Sequence, residues 1–277
     1  MEPIREGENQ LRALEELRRG DRDRFLCAVA APLSLRGDLA TLYAFNLELA
    51  GIADKVSEPM LGLIRLQWWR DALDEIAAGR PHRHHLVQDL ADLVDRRGLG
   101  IDRLRGLVDA RERDVEATQP ESLDALETYA AATAGALAEL ALDICTDAAT
   151  ADWRGVARQA GTAYGLVGIL RATPYLARHR RVMLPGVDRD RLLDLRPGPD
   201  LAPTVKKVAD RAAALLAAAR RENPPRNAVA ALFPGRLAAA QLEQLRRHGY
   251  DPFTAGSTAP SGLNIWRLVM ARWLGRI

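Results

Sequence analysis

The chain has 277 residues, of which 48% are hydrophobic, 27% charged and 5% aromatic. This apolar content can bury the core of one large domain or two modest ones, and it excludes a largely disordered chain. The 39 Lys and Arg residues are interspersed with 37 Asp and Glu residues, for a net charge of +2, which excludes the overall basic surface of a nucleic-acid-binding protein. Ala, Leu, Arg and Glu, all good helix formers, dominate, so the composition predicts an all-α protein.

Helical periodicity predicts the early helices in chain order. Residues 11–19 form a short helix, ended by Gly20 in the left-handed position of a helix cap. A second helix follows directly, and a third, starting near Gly37, carries so little charge that we expect it to lie deep in a bundle. The fourth covers residues 61–78.

The later helices are predicted over residues 86–96, 102–116, 123–144, 153–171, 204–222 and 228–247. The helix over 153–171 is apolar on all sides, which is typical of a central helix, and Pro174 disfavours helix at the residue before it. Since no repeat or domain boundary interrupts residues 21–255, we interpret them as one helical domain that follows an N-terminal helical extension, residues 1–20.

The C-terminal segment repeats apolar residues at helical spacing, with arginines around them. This pattern is typical of an interfacial helix on a membrane, and equally of a last helix that docks on the bundle. We favour the second interpretation, an amphipathic helix over residues 263–277 that packs on the bundle. The apolar residues are Leu263, Trp266, Val269, Met270, Trp273 and Leu274.

Cysteine and histidine give no strong metal or disulfide pattern. Cys27 and Cys145 lie far apart in apolar surroundings, so we interpret both as buried thiols. Residues 81–85 hold three of the five histidines, which suggests either a metal site or a solvated loop. We favour the loop because no fourth ligand stands nearby at a suitable spacing.

We expect no targeting or membrane-spanning segment in this chain. Its start is acidic and lacks an apolar stretch, unlike a secretory signal or a transit peptide. No window approaches the ~18–20 uninterrupted apolar residues of a spanning helix. We expect a cytoplasmic bacterial protein, with peripheral contact to the inner membrane as the alternative.

Two segments carry a resemblance to a known family. The first is the run from Leu42 to Asn46 that leads to Asp54, with the Trp-Trp-Arg-Asp run after it at residues 68–71. The second is the Gly-Leu-Val-Gly-Ile-Leu-Arg run at residues 165–171, followed by Arg-Val-Met-Leu-Pro at 181–185. Spaced in this way, they resemble the squalene/phytoene synthases, the head-to-head branch of the all-α isoprenoid synthases. The resemblance spans about residues 21–185 and implies a single large helical bundle of the isoprenoid synthase type.

The family's chemistry, as the resemblance implies, depends on aspartates that bind Mg²⁺. Ionising a diphosphate in an apolar cavity demands concentrated positive charge near the departing oxygens, which the metal supplies. Two carboxylates spaced four residues apart share one helix face, and two such helices hold the metal cluster.

Most of those ligand positions are substituted here. Of the first aspartate motif only Asp54 survives, and neither Glu48 nor Glu58 restores its helix face. We therefore expect loss of catalysis, with Asp54 vestigial and no metal or cofactor bound. The substituted aspartate positions are Ala50, Gly51, Ala172 and Leu176, and Gly165 and Gly168 stand where the family has glutamine and asparagine.

Four residues remain candidates for binding a diphosphate or an anionic head group. Arg171 and Arg181 occupy family positions, Tyr43 belongs to the first motif, and Arg178 lies in the same basic cluster. A solvated helix end accounts for the arginines equally well, so both interpretations stay open.

The substituted positions themselves sharpen the resemblance. The runs at residues 45–50, 54–58 and 170–175 are similar to a branch of the family, the mitochondrial complex I assembly factors that carry a squalene/phytoene synthase domain. This resemblance implies a non-catalytic protein whose partners are respiratory complex subunits or assembly intermediates. Two alternatives are a Mg²⁺-dependent head-to-head prenyltransferase with a site rebuilt around Asp54 and the arginines, and a module that binds an isoprenoid lipid or a membrane surface.

Overall fold

The computed structural model describes residues 3–146, 153–222 and 224–255, with the side chains of residues 3–10 and 226 left out. Those residues form fourteen α-helices and no strand, which confirms the predicted all-α class. The helices are α1 Pro3–Gly20, α2 Arg22–Ala30, α3 Leu33–Ala50, α4 Pro59–Ala77, α5 His85–Arg97, α6 Ile101–Asp109, α7 Glu112–Glu116, α8 Leu123–Ala130, α9 Ala136–Cys145, α10 Arg154–Arg178, α11 Arg189–Leu193, α12 Leu201–Arg221, α13 Phe233–Arg247 and α14 Pro252–Ala255.

Helix α10 is the centre of the bundle. It packs against α8, α9, α12, α13 and α14, and against a π-helical turn, Ala131–Gly135, that joins α8 to α9. Helix α3 is the second buried helix, with Tyr43 and Phe45 almost fully enclosed. Both helices were expected to lie deep because their sequences carry few charges.

Small residues bring α10 into backbone contact with the π turn. A Cβ atom at Gly161 would lie 2.6 Å from the Cβ of Ala138, and closer still to the Ala134 carbonyl oxygen. A Cβ at Gly165, one turn later, would lie 2.9 Å from the Cβ of Ala134. Real Cβ atoms do not approach so closely, so glycine at both positions sets the distance between α10 and the turn.

Gly20 has a different role from the predicted one. Its φ is not in the left-handed region, so the predicted cap is wrong, and α1 runs from Pro3 rather than residue 11. A Cβ at Gly20 would lie 2.8 Å from Cδ2 of Leu47 on α3. The glycine therefore permits close packing of α1 on α3, a tertiary requirement that the sequence pattern did not reveal.

Helix α10 continues through Pro174 to Arg178, whereas the prediction ended it at residue 171. Pro174 has no N–H to donate to the carbonyl four residues earlier. The neighbouring Thr173 hydroxyl donates to the Ile169 carbonyl at 3.1 Å, and Ala177, in the turn after the proline, is fully buried. Tertiary packing of this last turn outweighs the local effect of proline.

The remaining boundaries depart from the prediction in smaller ways. The region predicted as one helix over 123–144 is divided by the π turn, and the stretch between the helices predicted over 153–171 and 204–222 contains the short helix α11. A 3₁₀ helix, Arg226–Leu232, precedes α13. The predicted C-terminal helix over 263–277 lies outside the described residues.

Both cysteines are buried free thiols, as predicted. Burial raises the pKa of Cys145 to about 12 and that of Cys27 well above its ordinary value. The histidine run is explained by aromatic contacts, since His82 and His84 lie with their ring centroids 5.7 Å and 5.4 Å from that of Trp68. Within the described residues, no helix combines the length and the apolar character that crossing a membrane requires.

We expect Gly161→Ala and Gly168→Ala, the same substitution on the same helix, to change stability in opposite directions. Gly161→Ala forces a methyl group into the π turn and should lower the free energy of unfolding by about 1–3 kcal/mol. Gly168→Ala places its methyl group in open space and should raise it by about 0.5–1 kcal/mol. Urea unfolding followed by circular dichroism measures both. Equal effects would contradict the proposed backbone contact.

Candidate functional site

A cavity of about 330 Å³ lies between α3, α10, the N-terminal end of α2 and the π turn. Its walls mix apolar side chains with a small number of charged ones. The residues that line it are Asp21, Arg24, Asn46, Leu47, Ala50, Asp54, Arg111, Asp114, Tyr129, Thr133, Ala134, Tyr164, Gly165, Gly168, Ile169, Ala172, Tyr175, Leu176, Arg181 and Met183.

The first charged pair stands at the start of α2. Asp21 is the N-cap residue and accepts a hydrogen bond from the Arg24 backbone N–H at 3.0 Å. Nη1 of Arg24 donates to Oδ2 of the same carboxylate at 2.6 Å, and its guanidinium lies 5.1 Å from the ring centroid of Tyr164. Burial by itself would lower the pKa of Arg24. The neighbouring Asp21 and Tyr164 together raise the pKa by more than burial lowers it, so the guanidinium stays charged.

The second pair forms the most enclosed polar network of the cavity. Nη1 of Arg111 donates to Oδ2 of Asp114 at 3.0 Å and to the Tyr129 hydroxyl at 3.0 Å, while Nη2 donates to the Asn46 side-chain carbonyl at 3.1 Å. The Tyr129 hydroxyl donates to Oδ1 of Asp114 at 2.5 Å. Burial, and then the Asp114 carboxylate, raises the pKa of Tyr129. The tyrosine therefore remains a neutral donor.

The third pair joins the surviving family aspartate to an arginine. Asp54 accepts hydrogen bonds from Nη2 of Arg181 and, at 3.1 Å, from the Tyr175 hydroxyl. The end of α10 positions the arginine. The Arg181 N–H donates to the Leu176 carbonyl at 2.9 Å and the Arg180 N–H to the Ala177 carbonyl at 3.0 Å, while Arg180 adopts a φ of 59°. These bonds form a Schellman motif, which reverses the chain so that the next residue points back to the cavity.

The charges of the described cavity wall cancel. It contains three arginines and three aspartates, and each arginine is paired with one aspartate. All six side chains are largely enclosed, from 10% to 28% exposed, so their interactions are screened less than those of a surface pair. Each charge is therefore compensated within the protein.

The structure separates the predicted binding residues. Asp54 and Arg181 line the cavity. Arg171 lies outside the lining, where its Nη1 donates to Asp23 at 3.0 Å. Tyr43 is 1% exposed and also outside the lining, and Arg178 is exposed at the end of α10. Of the four predicted binding residues, only Arg181 thus lines the cavity, beside the predicted vestigial Asp54.

Five of the six substituted positions meet there, whereas Gly51 does not line the cavity. Ala50 on α3 faces the cavity together with Ala172 and Leu176 on α10, as do Gly165 and Gly168. The two helices that the resemblance identifies as metal-binding thus present methyl groups, an isobutyl group and glycine to the same space. This geometry supports the alignment of both motifs on this sequence.

These residues do not fit a magnesium cluster. Mg²⁺ requires several oxygen ligands, usually carboxylates, in octahedral geometry. The carboxylate of Asp54 is occupied by Arg181 and Tyr175, and the wall opposite it on α10 offers no carboxylate at positions 172 and 176. Among the described residues, no three carboxylate, imidazole or thiol groups are placed so that they could hold a metal ion.

Sequence reasoning missed four charged residues of the wall as site residues, namely Asp21, Arg24, Arg111 and Asp114. One signal was available for two of them. Arg24 stands directly before the apolar run Phe25-Leu26-Cys27, and Arg111 follows a buried helical stretch, so a charge was already adjacent to predicted core. The ion pairs of these four residues span only three positions each, but the contact of Arg111 with Asn46, 65 residues away, could not be inferred from spacing.

Known proteins match this chain in sequence and in structure. The sequence profile of the squalene/phytoene synthase family matches residues 17–273. A protein of Rattus norvegicus named "NADH dehydrogenase (ubiquinone) complex I, assembly factor 6" is 31% identical over 258 residues, which cover 89% of this chain and 76% of the rat protein. The Homo sapiens protein of the same name is 36% identical over 173 residues, which cover 62% of this chain and 51% of the human one.

Two solved structures confirm the predicted fold. A dehydrosqualene synthase in complex with ligand has a TM-score of 0.82 at 17% identity, with 97% of this chain and 96% of that chain covered. Squalene synthase HpnC from Alicyclobacillus acidocaldarius has a TM-score of 0.76 at 20% identity, with 91% and 98% covered. At these identities the likeness establishes the isoprenoid synthase fold.

We expect Arg111→Met to lower the free energy of unfolding by about 3 kcal/mol, because it leaves Asp114 buried without its cation. The control is Arg211→Met, which removes an arginine of the surface pairs with Asp124 and Glu127 and should cost about 1 kcal/mol or less. Chemical denaturation of both variants at neutral pH measures the difference. Similar losses in the two variants would show that the buried network is not specifically stabilising.

Proposed function

The chain belongs to the squalene/phytoene synthase family, and from this premise we propose that it is a member without prenyltransferase activity that assists the assembly of respiratory complex I. The observation that supports the absence of prenyltransferase activity is that the family's metal-binding carboxylates are either paired or replaced. Asp54 is paired with Arg181, and positions 50, 172 and 176 hold alanine, alanine and leucine around the same cavity.

Loss of the chemical step follows from the electrostatics of this site. Departure of a diphosphate develops negative charge that must be stabilised by groups preorganised near the leaving oxygens. In this chain each arginine of the described cavity wall is already neutralised by an aspartate, and a magnesium cluster lacks its ligands. Neither a metal ion nor unpaired arginines would therefore stabilise the leaving group.

The relatives support the proposed role in the assembly of complex I. The rat protein, which aligns with 89% of this chain, is named as an assembly factor of complex I rather than as a synthase. Relatives with that name in Mus musculus, Bos taurus and Homo sapiens are 31–37% identical to this chain. We infer the same role here, with subunits or assembly intermediates of the respiratory complex as partners.

An exposed apolar stripe on α4 is our candidate for the partner surface. Met60, Ile64 and Trp68 follow one another at four-residue spacing, with Leu61 beside them, and they are 63%, 58%, 38% and 46% exposed. The opposite face of α4, which includes Leu66, Trp69 and Leu73, is buried in the bundle. A helix that is apolar on both faces gains from a second contact, and a contiguous patch of this kind marks an interaction site.

Purified protein incubated with Mg²⁺ and farnesyl or geranylgeranyl diphosphate should release no pyrophosphate above a protein-free blank, because the site cannot stabilise the leaving group. A coupled phosphate assay measures this, with a working squalene synthase as the positive control. Robust turnover would overturn the proposal and favour the rebuilt magnesium-dependent site. In that case Asp54→Ala should abolish the activity, whereas Asp210→Ala at the surface should not.

Deleting the gene in its host should lower NADH oxidation by complex I in isolated membranes and leave the carotenoid and hopanoid content unchanged. The wild-type gene should restore oxidation, and Ala214→Glu should also restore it, whereas Ile64→Glu should not. Both variants add one carboxylate to an exposed helix surface, but Ala214 lies on α12, away from the stripe. Unchanged NADH oxidation with altered isoprenoid content would overturn the assembly role.

The same two variants separate a protein partner from a lipid surface. Peripheral membrane contact through the stripe would make the wild-type protein and Ala214→Glu cosediment with anionic vesicles, and Ile64→Glu would fail to do so. If cosedimentation does not differ between the variants, the stripe is not the membrane contact and remains the proposed surface for a protein partner.

A further inference from the structure

We propose that the cavity binds a neutral apolar molecule, an alcohol or carbonyl compound with an isoprenoid or alkyl chain, without Mg²⁺ and in preference to a prenyl diphosphate. This inference deepens the proposed function and rests on its first half, the loss of the metal-dependent site. It assigns to the cavity a ligand whose head group carries no charge.

The first support is the space itself. At 330 Å³ the cavity lies at the lower end of the range of small-molecule sites. At roughly 30 Å³ per heavy atom, as in liquid water, it admits on the order of ten heavy atoms. Substitution of the family's ligand positions by small or apolar residues has left this space open, since Ala50, Gly168, Ala172 and Leu176 all border it.

The second support is the cancellation of charge. An anionic head group would meet Asp21, Asp54 and Asp114 together with the arginines that they already neutralise. Moving a multiply charged diphosphate from water into such a site costs its hydration and returns little Coulomb energy. A hydroxyl or carbonyl group loses far less hydration, and a hydroxyl can donate to an oxygen of the wall such as that of Tyr175, whose own hydrogen goes to Asp54.

The third support is the open space beside Gly168, where a ligand could lie. A Cβ atom added there meets nothing within 4 Å, whereas one added at Gly165 would collide with Ala134. Both residues border the cavity, so Gly168 marks the open part of the wall and Gly165 the closed part. A ligand in the cavity should therefore lie against Gly168.

Geraniol and geranyl diphosphate test this inference because they share one chain and differ in the head group. In isothermal titration with the full-length wild-type protein, we expect geraniol to bind saturably with one molecule per chain. Geranyl diphosphate should bind at least tenfold more weakly, with or without Mg²⁺. Equal or tighter binding of the diphosphate, or no binding of geraniol, would overturn the proposal.

Two substitutions locate the binding, each with a matched control. Gly168→Leu should fill the cavity and weaken geraniol binding at least tenfold, whereas Gly155→Leu, on the exposed start of the same helix, should not. Asp54→Asn should release Arg181 and tighten geranyl diphosphate binding at least tenfold with little effect on geraniol, whereas Asp210→Asn at the surface should change neither. Thermal melts confirm that each variant is folded.

The outcomes also separate this inference from the proposed function. If Gly168→Leu binds geraniol as tightly as the wild-type protein does, the ligand lies elsewhere and the inference fails, while loss of catalysis stands. If the wild-type protein releases pyrophosphate from geranyl diphosphate in the presence of Mg²⁺, the proposed function fails first and the inference fails with it.

Discussion

The close approach of α10 to the π turn is the constraint on which the cavity depends. Glycine at positions 161 and 165 lets the backbone of α10 touch Ala134, and this contact holds the central helix in place along the first half of its length. Beyond Gly165 the side chains toward the turn no longer collide, as the open space at Gly168 shows. One wall of the cavity is thus the part of α10 that lies just past its tightest contact. A π turn widens the helix locally and is common near functional sites, which fits its position opposite this wall.

In this geometry, the charged side chains of the cavity wall can remain enclosed because each aspartate is paired with an arginine. A buried aspartate without a partner would lose its hydration without compensation, and so would a buried arginine. Asp54 illustrates the point, because the same carboxylate that would need a metal ion in a working synthase is satisfied here by Arg181 and the Tyr175 hydroxyl. The Schellman motif at the end of α10 places Arg181 for this contact. Replacement of a metal by a guanidinium preserves the local charge balance and keeps the helix ends together, but it removes the Lewis acid that the chemistry requires.

The sequence predicted the helices and the substituted ligand positions well, and it predicted the contacts between distant side chains poorly. Periodicity located the buried helices α3 and α10, and the resemblance placed Ala50, Ala172 and Leu176 around one cavity, as the structure shows. Prediction from the sequence failed where a side chain that is distant in the chain determines the local structure. Gly20 was misread because the reason for glycine is Leu47 on another helix, and Pro174 because burial of Ala177 outweighs its local effect. Arg171 and Arg181 looked equivalent in sequence, yet the first bonds Asp23 outside the cavity wall and the second bonds Asp54 within it. For these two arginines, the aspartate that neutralises each one depends on the packing of helices that are far apart in the chain.

The same packing means that the proposed loss of catalysis would involve more than a set of missing ligands. Aspartates at positions 50, 172 and 176 would face the cavity, so those three positions could in principle recover carboxylates. Position 165 could not recover the family's glutamine, because even its Cβ would collide with the π turn. New carboxylates would also lie near Arg24, Arg111 and Arg181, which would compete with Mg²⁺ for them as they already do for the three aspartates present. Restoring a metal site would thus require the helix spacing and the arginines to change together with the ligands. The cavity is consequently organised around charge compensation, and a single new carboxylate would not restore a metal site.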